Sequence, residues 1–164
     1  MAGRRENKER NERRWEPVIK GKRFYQEGLR FECQGEGRCC LSRGRYGYVY
    51  LSFNDRRRLA AHCRISLSEF TAKYTRKIDG LYELLYAGKD CPFLKNSRCE
   101  AYDSRPWQCR TWPFWPENMN STVWEQEVAP YCPGIGRGKL YSAEEIEEIL
   151  AKKKDAAGCK AGKL

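Results

Sequence analysis

Three cysteines within nineteen residues constrain this chain more than anything else in it: Cys91, Cys99 and Cys109, in CPFLKNSRCEAYDSRPWQC. Prolines and a turn-forming Asn96-Ser97 separate them, which lets the chain fold back and bring thiols together. Nine cysteines in 164 residues exceed ordinary usage but fall short of a small disulfide-stapled scaffold. The choice between bridges and metal therefore turns on the redox compartment. The N-terminus, MAGRRENKERNERRWEPVIKGKR, is charged throughout and has no apolar core, so a secretory signal peptide is not expected. No run approaches the roughly 18 apolar residues of a membrane span. A cytoplasmic protein is expected, with no membrane partner. There thiols stay reduced, and a cysteine cluster points to metal or catalysis. The odd count also argues against a fully paired framework.

The formal charge of +10 suggests a polyanion partner until it is divided along the chain. Residues 1–30 carry ten Lys/Arg against five Asp/Glu, and 152–164 carry five Lys against Asp155. The remaining 121 residues hold 17 basic and 16 acidic side chains and are nearly neutral. The basicity thus belongs to the ends, which suggest nucleic-acid contact only weakly. The expected organisation is a basic tail over 1–14, one cysteine-cluster domain over 15–154 beginning near Trp15, and a second basic tail over 155–164.

In FECQGEGRCCLSRGRYGYVYLS, Gly35 and Gly37 permit tight turns around Cys33, Cys39 and Cys40, and alternation predicts a strand over 46–51. Adjacent cysteines point to opposite sides of an extended chain, so Cys39 and Cys40 share a site only if the loop bends. Ser52 with Asp55 and Ser66 with Glu69 predict helices over 54–63 and 67–76. Cys63 fits the apolar face of the first, and His62 makes a poor ligand pair beside a single cysteine. Asp79-Gly80 marks a turn before a strand over 81–87. Cys91 and Cys99 are expected on the two arms of a hairpin. Asp103 or Ser104 is expected to cap a helical turn that starts near Pro106 and carries Cys109.

TWPFWPEN cannot continue as regular helix past Pro113 and Pro116. Trp107, Trp112, Phe114 and Trp115 read either as a wall around the cysteine site or as a stacking surface for bases or peptide. Cys132 opens a second glycine loop whose GIGRG lacks the phosphate-loop pattern. Ser142 and Glu145 box the start of a helix over 143–154. Cys159, in the polar tail, is not expected to be a ligand. The fold class expected is α+β: a small domain of short helices and a few short antiparallel strands around a cysteine metal cluster.

The candidate ligands are Cys33, Cys39, Cys40, Cys91, Cys99, Cys109 and Cys132, a soft donor set without histidine. Such a set suits zinc, iron or an iron–sulfur cluster, and suits magnesium or calcium badly. The chain has no C-x-x-C knuckle; gaps of five, seven, nine and twenty-two residues draw the ligands from separate loops. Arg105 and Arg110 flank Cys109, either to offset thiolate charge or to pair with Glu100 or Asp103. No acid–base pair, nucleophile–histidine arrangement or cofactor loop is evident.

Phe31-x-Cys33, the glycine loop, Cys39-Cys40, Cys91-Pro92-Phe93-Leu94, Cys99-x-x-Tyr102, Arg105-Pro106, Cys109-Arg110 and Trp112-Pro113 together resemble the YkgJ-type cysteine-cluster family over Phe31 to Gly138. The resemblance implies a cytoplasmic bacterial protein holding zinc, iron or an iron–sulfur cluster, and a similar domain occurs in flagellin lysine methylases. Many members read Cys-x-x-Cys-Gly-x-Cys-Cys; here Glu36 stands at the second position, so a second metal there would take a carboxylate in place of a thiolate. The expected function is a metal-binding module that presents a surface to a protein partner. The alternatives are a metal- or cluster-dependent enzyme of redox or protein-lysine-methylation chemistry, and a nucleic-acid-associated protein.

Overall fold

Residues 23–41, 48–86 and 90–157 are described by the computed structural model, with the side chains of 153–157 left aside. The tail expected over 1–14, the domain start at Trp15, the first part of the strand expected over 46–51, and Cys159 lie outside the described residues.

The architecture is α+β, and its strands pair two at a time without a larger sheet. Strand β1 (Leu29–Phe31) runs antiparallel to β6 (Lys139–Tyr141), with Leu29 opposite Tyr141. Between them lie helices α1 (Phe53–His62) and α2 (Leu67–Tyr74), hairpin β2–β3 (Thr75–Ile78, Leu81–Leu84), and hairpin β4–β5 (Leu94–Lys95, Arg98–Cys99). A short α3 (Trp107–Arg110) follows. A continuous helix of residues 121–131 then forms from α4 (Ser121–Val123), a π-helical stretch (Trp124–Val128) and α5 (Ala129–Tyr131). Helix α6 (Ala143–Ala157) ends the described chain. Among the described residues no helix is long and apolar enough to cross a membrane.

Local chemistry explains most of these boundaries. The Ser52 hydroxyl accepts from Asp55 N, and Asp55 Oδ2 accepts from Ser52 N at 3.0 Å, closing the capping box that starts α1. At α6, Glu145 N donates to Ser142 Oγ and Ser142 N donates to Glu145 Oε2. At α2 only the Ser66 half of the box forms, accepting from Glu69 N.

Helix α2 stops at Tyr74, two residues short of its expected end. Thr75 is extended (φ −133°, ψ 154°) and opens β2, whose partner β3 returns through Asp79 and Gly80, both at positive φ. Cross-strand pairing, with Arg76 Nη2 2.9 Å from the buried Glu83 Oε1, overrides the helical reading of 75–76. The strand expected over 46–51 appears, in its described part, as an irregular edge. Leu84 N donates to Val49 O, Leu51 N donates to Tyr82 O, and Tyr50 bridges Glu83.

Two hydrophobic clusters result. Leu51, Leu59, Phe70, Leu84, Phe93 and Ala101 form one, with Cys63, Cys91 and Cys99 packed against it. Tyr25, Trp112, Phe114, Trp124, Val128 and Ile146 form the other, with Phe31 and Cys132 at its edge. Leu59, Phe70 and Ile146 are fully buried, each stabilising the fold by about 1.5–3 kcal/mol relative to exposure.

Candidate metal centre

Four thiols gather where a bent loop lies against a hairpin. A 3-10 turn, Arg38–Cys40, supplies the bend that brings Cys39 and Cys40 to one site. It begins at Gly37, whose φ is +65°; a Cβ there would lie 2.4 Å from Leu94 Cδ1 and 2.9 Å from Ser97 O. Only glycine lets the loop rest directly on the β4–β5 tip. The hairpin turns through Asn96 and Ser97, both at positive φ, and puts Cys99 opposite Leu94. Cys91 N donates to Cys40 O at 2.9 Å, and Leu41 bridges Asp90, so the loop is tied to the first arm of the hairpin. Cys91 precedes β4, while Cys99 ends β5.

Cys39, Cys91 and Cys99 each hydrogen-bond to Cys40. That contact holds the Cys39 and Cys99 thiols down at about 7 and lowers Cys91 as well. Cys40 moves strongly the other way, because its contacts with Cys39, Cys91 and Cys99 favour its protonated form. Arg105 adds its positive charge in favour of the Cys39 and Cys99 thiolates. Cys109 sits beside this group; burial raises its pKa first, and the charges of Cys39, Cys91 and Cys99 raise it further. Tyr86 is likewise pushed up by burial and then by the neighbouring thiols, Cys91 and Cys109 foremost.

Cys109 is positioned by a cap the sequence does not reveal. Neither Asp103 nor Ser104 caps α3; its N-cap is Pro106, and Trp107 N donates to Asp55 Oδ1 at 3.0 Å. Asp55 is 3% exposed and serves two helices, because the same carboxylate also accepts from Ser52 and from Arg58 Nη2 at 2.5 Å. Gln108 fastens α3 to the chain before α1: its Oε1 accepts from Tyr50 N and its Nε2 donates to Tyr48 O. Asp55 and Gln108 leave no local signal for these roles, since Trp107 lies 52 residues from Asp55, and Tyr50 and Tyr48 lie 58 and 60 residues from Gln108.

Cys33 and Cys132 stand apart from the group around Cys40. Both line a cavity of about 30 Å³, with Cys39, Trp112 and Glu36 also on its wall. Trp112 Nε1 donates to Cys132 Sγ at 3.4 Å, and the Tyr102 hydroxyl hydrogen-bonds to Cys33. Glu36 lies 3.4 Å from Arg38 Nε. Cys63 packs against the cluster of Leu59 and Phe70, where burial raises its pKa. His62 is exposed, its ring edge-on to Phe93. Trp112 and Phe114 are buried in the other cluster. Arg105 and Arg110 form no ion pair with Glu100 or Asp103; Glu100 pairs with Lys95 instead.

The donor set fits a soft cation. Four sulfurs, three of them contacting Cys40 and biased toward thiolate, are the ligand type of zinc and iron–sulfur sites. Among the described residues, no group of three or more His, Cys, Asp or Glu side chains already stands in the geometry of a finished metal site. The contacts radiate from Cys40 and do not surround a common centre.

The chain is 27% identical over 124 residues to the uncharacterized protein MJ0661 of Methanocaldococcus jannaschii, an alignment covering 71% of this chain and 65% of that protein. It therefore spans a little under two thirds of that relative's length. No solved structure matches significantly. The profile of the CxxCxxCC family, described as "Putative zinc- or iron-chelating domain", matches residues 32–133, which contain all seven candidate thiols, and the chain belongs to that family.

Proposed function

We propose that this protein binds zinc, iron or an iron–sulfur cluster through Cys39, Cys40, Cys91 and Cys99, with Cys109 as the adjacent fifth thiol and Cys33 and Cys132 flanking the site. The observation that carries this reading is the convergence of three thiols on Cys40. Thiols gathered within contact of one sulfur mark a position where a divalent cation, displacing their protons, is attractive to all of them. Arg105 offsets part of the thiolate charge, which a partly buried site needs.

The site joins the loop after β1 to the β4–β5 hairpin, so metal bound there ties distant stretches of chain together. That favours a module whose fold is held by metal and which acts through a cytoplasmic protein partner. Anaerobic purification followed by metal analysis and a visible absorption spectrum tests it. Zinc or iron near one equivalent or above per chain supports the reading, and visible charge-transfer absorption assigns an iron–sulfur centre. A chain that purifies folded without metal, and takes up neither zinc nor iron on reconstitution, overturns it.

A further inference from the structure

We propose that the cavity of about 250 Å³ beside the thiol cluster is a binding site for a small oxyanion, a phosphate or carboxylate group held between Arg105 and Arg110. This stands on the cavity and its guanidinium groups, and holds whichever metal the thiols take. Both arginines line the cavity, as do Cys39 and Cys109, so a ligand there lies against the cysteine site.

The cavity wall combines three basic side chains with the Cys33, Cys39 and Cys109 thiols. Arg105, Arg110 and Lys139 face it, against Glu32 alone among carboxylates. Lys139 is committed to Glu145 at 2.6 Å. Neither arginine has a carboxylate within ion-pair distance among the described residues. Arg105 is also held in place: its Nε donates to Tyr102 O at 2.7 Å, and its guanidinium stacks 3.5 Å from the Tyr102 ring centroid. Stacking and the Nε bond fix the plane of the fork at the cavity wall. Guanidinium groups match the oxygens of phosphate and carboxylate, and the apolar side chains of Phe31 and Trp112 on the same wall strengthen such contacts by lowering the local polarity. The volume lies just below the roughly 300–1,000 Å³ of drug-sized pockets, which selects a small molecule over a segment of a macromolecule.

Arg105 also faces the thiolates, so the test must separate an anion site from charge compensation alone. Metal-loaded full-length protein is titrated calorimetrically with inorganic phosphate and, separately, with succinate, in low-chloride buffer, and metal content is measured on the same samples. Saturable one-to-one binding of at least one probe is expected, and the stronger probe names the ligand class. Arg105→Gln and Arg110→Gln should each weaken it at least tenfold, and Arg110→Gln, which does not face the thiolates of Cys39 and Cys99, should do so with metal content unchanged. Arg105→Lys and Arg110→Lys should fall between, because they keep the charge and lose the fork. Lys77→Gln, on exposed β2 away from the cavity, should bind as the parent does. The proposal is overturned if neither probe saturates, or if both glutamine variants bind like the parent. It is also overturned if Arg105→Gln loses metal while anion binding persists, which would make Arg105 a partner of the thiolates only.

Discussion

The two hydrophobic clusters are built in opposite ways. The cluster around Leu59, Phe70, Leu84 and Phe93 draws on one continuous stretch, residues 51–101, through capped helices and hairpins. The cluster around Trp112, Phe114, Trp124 and Ile146 joins the two ends of the described chain, with Tyr25 and Phe31 packing on residues 112–146 and β1 pairing β6. Cys91 and Cys99 belong to the first and Cys132 to the second, so the cysteines span a locally organised half and a long-range one. The local half is the one that shapes the centre: it carries the hairpin, and the Cys39–Cys40 loop docks onto it.

The largest expected effect breaks that dependence at the hairpin. Cys91→Ser and Cys99→Ser should release metal and destabilise the fold by about 5 kcal/mol or more, since ligand loss removes metal-coupled folding free energy. Urea unfolding with metal analysis checks this, and an unchanged midpoint and metal content would separate the hairpin from any metal. Asp55→Ala should cost about 3–5 kcal/mol, because it removes the acceptor at the start of α3 and half of the α1 capping box, and strands Arg58. Asp55→Asn, which keeps a cap acceptor, should cost about 1–2 kcal/mol by the same measurement.

The comparison sharpens with a matched pair. Leu59→Ala and Ile146→Ala both remove a fully buried side chain and should each cost about 2–5 kcal/mol. Only Leu59→Ala should speed metal release to a chelator, because Cys91 and Cys99 pack on its cluster. Equal release rates from the two variants would show that the halves hold the centre equally.

The smallest effect is confined to alkaline pH and to the long-range half. The Tyr25 hydroxyl donates to Glu147 Oε1 at 2.5 Å, and burial followed by that bond pushes its pKa up to about 12. The raised folded-state value means that the stabilisation is complete below the unfolded pKa near 10 and is lost as pH rises through about 12. Tyr25→Phe should flatten the decline of stability between about pH 10 and 12. A decline as steep as the parent's would assign the transition to other groups.

How much of this was legible follows the same division. Ser52, Ser66 and Ser142 mark their helices, and Asp79-Gly80 and Asn96-Ser97 mark their turns, because caps and turns are chemistry within a few residues. The end of α2 was not legible, since Thr75 and Arg76 answer to β3 and not to their own helix. The pairing of Leu29 with Tyr141 is set by burial across more than a hundred residues, and no local pattern carries it. Among the cysteines, spacing brought Cys91 and Cys99 to one hairpin. It could not show that Cys40 is the common contact of three thiols, or that Cys132 turns to Trp112.

The most direct test of the thiol centre compares metal stoichiometry in Cys40→Ser and Cys63→Ser, purified side by side under anaerobic conditions. Cys40→Ser should lose most of its metal and Cys63→Ser should keep the parent value, because only Cys40 touches the other three thiols. Full metal content in Cys40→Ser, or equal loss in both, would contradict a centre built around Cys40.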